Sequence, residues 1–368
     1  MSVPRTEVLV IGAGVVGAAV ADAIAARGMP VVVLERAQVG SAASSGAAGL
    51  LAPLIEAEGP GPFLDLALAG RALFRDETEM LVHASGIDIG YRESGTLRIA
   101  ESESAARGLR ARVTWEQAAG LHVRWLAPRE LAQLEPSLRD PLAGALFSAD
   151  DHQVTSAALT QALARRATAN GAVIVEGLGA ERLLRISDRV VGVRTGAGEE
   201  YRARHVVLAA GPWSAALVSG LPVRPVKGQL VHLRPTAPVL SRPVFADGVY
   251  IAPKAEGRLV VGATEEDVGF DWAPREDATR VLLDRAFALV PALREAPLEG
   301  AWAGLRPGTS DRLPILGTRR DLRGLIFATG HFRNGVLLSL ITGRIVAALV
   351  AGEAPPVDIA AFSPERFG

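Results

Sequence analysis

A mixed α/β (α+β) protein, in which a parallel nucleotide-binding sheet is interrupted by an inserted antiparallel sheet, is the fold this sequence predicts. Three observations lead there. Val8-Leu9-Val10-Ile11 reads as a buried strand running straight into Gly12-Ala13-Gly14-Val15-Val16-Gly17, a G-x-G-x-x-G. A three-strand meander follows in mid-chain, over residues 181–186, 190–195 and 200–208. A second hydrophobic strand that stops on a glycine, residues 325–331, lies near the C-terminus.

In the first unit, Gly12 makes the tight turn, Gly14 lets a pyrophosphate approach the backbone, and Gly17 lets helix and strand pack closely. Residues 18–27 are rich in alanine, lack proline and end at Gly28, which suits a helix closed by glycine. Val31-Val32-Val33-Leu34 is a second strand ending in Glu35, about 20 residues past the glycines, where an acid hydrogen-bonds a ribose hydroxyl. Strand, glycines, helix, strand and terminal acid in this order specify a dinucleotide and leave its identity open. Residues 41–51 are too small to form a core and let a flat group lie against the backbone. Ser44, Ser45, Ala47, Ala48, Gly49 and Leu50 are therefore candidate cofactor contacts, together with Val16 and Arg36. Residues 63–84 form a helix, with Leu66, Leu73, Met80 and Leu81 near the helical period.

The pattern changes from residue 90 to 150, where residues 95–99 are strand-like and residues 127–131 open a helix with proline in its first turn. Residues 155–170 are a helix closed by Asn170-Gly171, and residues 172–176 a strand that adds Val175 to the cofactor candidates. Residues 224–234, 249–253 and 258–263 read as strands joined by short turns, which places an antiparallel sheet inside the first domain. At the two strand-glycine ends a cofactor fits above the carboxyl ends of parallel strands, so Ala210, Gly211, Trp213 and Gly330 join the candidates. The expected cofactor domain comprises residues 1–85, 150–220 and 320–368; residues 86–149 and 221–319 form the substrate domain. Residues 335–350 are apolar at helical spacing but short and carry Arg344, as in a buried helix rather than a membrane span. Asn334-Gly335 is expected to begin that helix, presenting free N–H groups and a positive dipole end.

Composition sets the outer limits. The chain has 368 residues, 49% of them hydrophobic, enough for about two domains with sizeable cores. Lys and Arg total 39 against 40 Asp and Glu, without a basic run, so nucleic acid is not an expected partner. The absence of cysteine excludes disulfides, thiolate metal sites, a cysteine nucleophile and a cysteine-tethered cofactor. It fits a reducing compartment, and a cytoplasmic location is expected. The apolar start is interrupted by glycines and has no cleavage-site pattern, so it reads as structure rather than a signal peptide. The six histidines show no ligand spacing, so no metal site is expected. No G-x-S-x-G supports a hydrolase.

The glycine motif at the start, the meander and the terminal strand-glycine motif together resemble FAD-dependent amine oxidoreductases of the D-amino-acid oxidase superfamily, over nearly the whole chain. Val260-Val261-Gly262-Ala263-Thr264, Gly304-Leu305-Arg306-Pro307-Gly308-Thr309 and Gly330-His331-Phe332-Arg333-Asn334-Gly335-Val336-Leu337-Leu338 look like its glycine oxidase branch, the one linked to thiamine synthesis. The resemblance implies non-covalent FAD in a Rossmann-like domain with an inserted antiparallel-sheet substrate domain. It implies that Arg306 holds the substrate carboxylate, that Tyr250 donates a hydroxyl to it, and that Arg333 lies near the same anion. Arginine's planar fork suits that task, matching a carboxylate with two parallel hydrogen bonds. His331, as a hydrogen-bonded structural histidine, and Asn334, Gly335 and Val336 are placed beside the flavin, where a preorganised helix terminus stabilises the negative charge of the reduced ring.

The implied reaction takes a hydride from the α-carbon of neutral glycine to flavin N5 and gives an imine that hydrolyses to glyoxylate and ammonia. Molecular oxygen then reoxidises the flavin with release of hydrogen peroxide. A homo-oligomer is the expected assembly. Glu265 departs from the family pattern where an apolar side chain is expected, on the wall that limits substrate size, and Leu340 stands where a proline is expected. Alternatives therefore stay open: a sarcosine, D-amino-acid or D-proline oxidase or dehydrogenase of the same superfamily, a nicotinamide-dependent dehydrogenase, or a non-catalytic flavin subunit.

Overall fold

The computed structural model describes residues 5–367. Its first sheet carries, in spatial order, Ile315–Thr318, Leu325–Thr329, Glu200–Leu208, Arg5–Ile11, Val31–Leu34 and Val173–Val175, with the hairpin Ala180–Ile186 and Arg189–Thr195 completing the meander beside Glu200–Leu208. The run from Leu325–Thr329 to Val173–Val175 is parallel. Parallel strands are covered on both faces, which is why these segments are almost uninterruptedly apolar. Val8 and Val10 pack on one side with the helices Val15–Ala25 and Ser339–Ala351, whereas Leu9 and Ile11 pack on the other with Val190, Val193 and Phe327. The helices Pro62–Ser85 and Ser156–Ala169 complete the first layer.

The second sheet runs Leu298–Gly308, Arg224–Leu233, Leu259–Gly262, Val249–Pro253, Val244–Ala246, Thr96–Ala100, Gly144–Ser148 and Val123–Leu126. It is antiparallel except at one seam, where Val244–Ala246 lies parallel to Thr96–Ala100. The insert is the antiparallel sheet expected, with this one parallel seam. The sheet is assembled from two separate excursions of the chain, and no hairpin constrains direction where they meet.

Three further differences have local causes. Ile315–Thr318, expected within the inserted region, pairs with Leu325–Thr329 in the first sheet. The last helix begins at Ser339 rather than Asn334-Gly335. A helical turn closed by Leu338 N–H on the Asn334 carbonyl, at 2.8 Å, precedes it. The helices Glu103–Ala118 and Glu276–Leu289 had no legible periodicity, because each buries only three side chains. Among the described residues no helix is long and apolar enough to cross a membrane.

The turn into the first helix depends on backbone contact. A Cβ on Gly17 would overlap the Gly12 carbonyl, so the helix can sit this close to the first strand only without a side chain there. Gly17→Ala should destabilise the protein by about 2–3 kcal/mol through overpacking. Gly108→Ala, in an exposed helix interior with open space around its Cβ, should stabilise it by up to about 1 kcal/mol. Denaturant titration of both variants checks the contrast; a harmless Gly17→Ala contradicts it.

Candidate active site

A cavity of about 670 Å3 runs between the two sheets, a size typical of sites for small molecules and cofactors. Gly12, Gly14, Val16, Glu35 and Arg36 line one end; Tyr250, Arg306, Phe332 and Arg333 line the other.

At the glycine end, the helix Val15–Ala25 starts on Gly14 with no side-chain cap of its own and no acid in its first turn. Val15 N–H is taken by Ser44 Oγ at 2.9 Å, while Val16 N–H has no acceptor among the described residues. An uncompensated helix start of this kind holds an anion. The Glu35 carboxylate accepts Ala13 N–H at 2.8 Å and Ala37 N–H at 2.9 Å, tying the glycine turn to the second strand and keeping acceptor capacity for ribose hydroxyls. A Cβ on Gly12 would come within 2.6 Å of the Ala209 carbonyl oxygen, so the cradle admits backbone only. Arg36 lies 3.6 Å from the centroid of the Trp213 ring, which stacks in turn on Phe270. These features fit a dinucleotide, whose pyrophosphate would lie at Gly12, Gly14 and Val16 and whose ribose would lie at Glu35.

The middle of the cavity is floored by the small-residue segment, in which Ala43, Gly46, Ala47, Ala48 and Gly49 present mostly backbone. Two side chains of the second sheet fasten it. Trp302 Nε1 donates to the Gly46 carbonyl at 3.0 Å. The Lys254 ammonium donates to the Ala48 carbonyl, to Gln153 Oε1 at 3.1 Å and to the Val154 carbonyl at 3.2 Å, and burial brings its pKa down to about 8.

At the far end, Arg306 sits on Leu298–Gly308 opposite Arg224–Leu233, its guanidinium lying over Gly228, where any side chain would displace it. Its Nη1 donates to the Thr264 carbonyl at 3.0 Å, and no carboxylate of the described residues is paired with it. Burial lowers its pKa and the nearby Arg333 adds to that, yet a guanidinium stays charged at neutral pH. The Tyr250 ring lies against Gly262 in the same wall, and burial pushes its pKa to about 12, so the phenol is a donor. Arg333 is placed differently from the expectation that it assists with the anion: Glu56, at 3.4 Å, and Glu265 already hold it. His331 Nε2 is bonded to Thr342 Oγ1 at 3.0 Å, and burial pushes its pKa down to about 3.

Most of the sequence-derived candidates meet on this one cavity: Gly12, Gly14, Val16, Glu35, Arg36, Ser44, Ala47, Ala48, Gly49, Leu50, Ala210, Gly211, Trp213, His331, Arg333, Asn334, Gly335 and Val336, with Arg306 and Tyr250. Gly17, Ser45, Val175 and Gly330 do not line it. Gly17 packs on Gly12, Ser45 is exposed and bonds back to the Ala42 carbonyl, Val175 accepts Glu35 N–H, and Gly330 makes a turn against Thr309. Glu265 is also off the wall; it points outward onto Arg312 and Arg333. Sequence reasoning missed Lys254, Trp302 and Glu56, which belong to no spaced motif, and gave no site role to Phe332, although it lies within the terminal motif. Glu56 ends a one-turn helix, Pro53–Glu56, whose Leu54 carbonyl accepts Arg112 Nη2 at 2.6 Å and Arg98 Nη1 at 3.2 Å. Among the described residues no group of His, Cys, Asp or Glu is placed to hold a metal ion.

Known proteins resemble this chain in sequence and in fold. The model of the FAD dependent oxidoreductase family matches residues 7–349. The glycine oxidase of Geobacillus kaustophilus is 39% identical over 98% of this chain and 97% of its own, and its crystal structure superposes with a TM-score of 0.94, covering 98% of each chain. A bifunctional protein ThiO/ThiG of Nostoc sp. is 37% identical over 94% of this chain and 52% of its own length. The iminodiacetate oxidase of Chelativorans sp. BNC1 is 28% identical, with a TM-score of 0.88 over 97% of this chain and 99% of that one.

The His331 imidazole carries a pH dependence. Its folded-state pKa of about 3 lies below the ordinary 6.5, so between these values the unfolded chain binds a proton that the folded chain does not. Its contribution to stability is full above the ordinary value and falls as pH drops toward 3. Melting temperature against pH should therefore fall less steeply over that range in His331→Gln; equal slopes contradict the assignment.

Proposed function

The chain belongs to the FAD dependent oxidoreductase family, and we propose that it oxidises glycine to glyoxylate and ammonia with release of hydrogen peroxide. FAD, its cofactor, would be held at Gly12, Gly14, Val16 and Glu35 and would supply the hydride acceptor and the route for electrons to oxygen. The observation that carries the substrate assignment is Arg306, a recessed cation whose Nη1 donates to the Thr264 and Lys227 carbonyls, with no carboxylate partner among the described residues and the rest of its fork free. A substrate carboxylate supplies the missing charge and gains two parallel hydrogen bonds. Tyr250, held protonated, donates a third from Val249–Pro253, two strands beyond Arg224–Leu233 in the same sheet. Together they fix the α-carbon in the cavity, and positioning of this kind is a large part of catalysis.

No base at the α-carbon is required, and the side chains nearby fit that. His331 is neutral and engaged with Thr342, and Glu56 is engaged by Arg333. Phe332 and Ile55, also on the wall, favour a substrate with little side chain. The glycine-derived imine suits the supply of thiazole for thiamine synthesis, and the likeness to the ThiO/ThiG protein supports that placement. Oxygen as terminal acceptor, a homo-oligomeric assembly and a cytoplasmic location are part of the same proposal.

Purified protein given glycine in air should form glyoxylate, ammonia and peroxide in equal amounts per oxygen consumed, water supplying the glyoxylate oxygen. Arg306→Ala should lower kcat/KM by about 100- to 1,000-fold, mainly through KM, with FAD retained. Tyr250→Phe should cost about tenfold. Unchanged kinetics in Arg306→Ala would remove the substrate assignment.

A further inference from the structure

Four charged side chains from four chain segments form a network at the substrate end of the cavity, where Glu56 and Arg333 line the wall and Glu265 and Arg312 lie outside it. Glu56 ends the helix Pro53–Glu56, Arg333 follows the strand Leu325–Thr329, Glu265 follows Leu259–Gly262, and Arg312 lies in the turn before Ile315–Thr318. Arg333 Nη1 is 3.4 Å from Glu56 Oε1, Arg333 Nη2 donates to Glu265 Oε2, and Arg312 Nη2 donates to Glu265 Oε1 at 2.9 Å. The Phe332 ring lies under both guanidinium groups, 5.5 Å from that of Arg312 and 5.3 Å from that of Arg333.

The backbone of this strap is unusual. Among the described residues only Ser187, Arg312 and Phe332 adopt positive φ without being glycine; Arg312 is at 61° and Phe332 at 49°. Left-handed backbone at a side-chain-bearing residue is unfavourable and persists where surrounding contacts over-determine it. The two arginines near the substrate are thus in opposite states: Arg306 has no carboxylate partner, whereas Arg333 has two.

We propose that Glu265 sets the charge class of the substrate: by occupying Arg333 it masks a second carboxylate site and confines the pocket to amino acids with a single carboxylate. This rests on the assignment of Arg306 to the substrate carboxylate. An amine with two carboxylates, such as iminodiacetate, would place one on Arg306 and find the other cation already held by Glu265, with Glu56 on the wall as a like charge. Discrimination of this kind comes from a repulsive element as much as from an attractive one. Glu265 acts through Arg333 and is a positioning residue; it does not touch the reacting atoms.

The test compares three substrates on the flavin-loaded enzyme: glycine, iminodiacetate and N-ethylglycine, the last having an N-substituent of similar length without the charge. Glu265→Gln should raise kcat/KM for iminodiacetate relative to glycine by about tenfold or more, the gain carried by KM. The ratio of N-ethylglycine to glycine should hold within about twofold, because the change is one of charge and not of room. The double variant Glu265→Gln, Arg333→Met should lose the gain. An unchanged iminodiacetate ratio, an equal rise for N-ethylglycine, or a gain that survives loss of Arg333 would each overturn the proposal.

A binding arm keeps the proposal separate from the glycine assignment. Perturbation of the visible flavin spectrum by malonate and by acetate reports affinity without turnover. Glu265→Gln should tighten malonate and leave acetate unchanged. If glycine is not oxidised by the natural protein, the activity proposed above fails, and the malonate-to-acetate ratio still decides the role of Glu265: a rise supports it and no rise overturns it.

Discussion

A recessed arginine without a counter-ion is the constraint around which the rest of this structure is arranged. Taking a guanidinium out of water is costly unless its charge is paired, and among the described residues Arg306 finds only the Thr264 carbonyl at 3.0 Å and the Lys227 carbonyl at 3.5 Å in partial compensation. Its position is secured by backbone, because Gly228 leaves the space that its guanidinium fills, and by the long pairing of Leu298–Gly308 with Arg224–Leu233. The second sheet is in this sense a rigid mount for one cation. The substrate carboxylate completes an electrostatic pair that folding leaves half made.

That mount is useful only if it is fixed relative to the nucleotide cradle on the other sheet, and here two polar contacts matter. Lys254 and Trp302 both project from the second sheet onto carbonyls of the segment that floors the cavity, at Ala48 and Gly46. The Ala48 segment is also tied to the first sheet's layer, since Ser44 Oγ accepts the first N–H of the helix Val15–Ala25 and the Ser44 carbonyl accepts Ser156 Oγ at 2.6 Å. One stretch of small residues thereby registers the substrate arginine against the helix start. The same economy explains why these residues carry little side chain: a flat cofactor and two foreign donors all need access to their backbone.

Much of this was legible in the sequence, and the limits are physical. The G-x-G-x-x-G, Glu35 and the strand-glycine ends were readable because each is a local solution to a backbone problem, and local problems leave spaced residues behind. Arg306 and Tyr250 came from resemblance and not from periodicity, since a carboxylate-binding arginine has no spacing rule. Arg333 shows the opposite failure: beside the family motif it looked like a second anion holder, but its partners Glu56 and Glu265 come from positions 277 and 68 residues away. Lys254 was invisible for the same reason, as its three acceptors are assembled only in the folded chain. The start of the last helix was misplaced by one turn because Asn334-Gly335 does begin helical curvature, which regularises only at Ser339.

The measurement that bears most directly on the central claim, that this cavity holds FAD at one end and an amino acid on Arg306 at the other, is the visible spectrum of the purified protein under anaerobic glycine. The expected result is a yellow protein whose flavin band bleaches as glycine is added and returns when air is admitted. A yellow protein that glycine leaves unbleached would contradict the substrate assignment while sparing the cofactor, and a colourless protein unable to take up added FAD would contradict both.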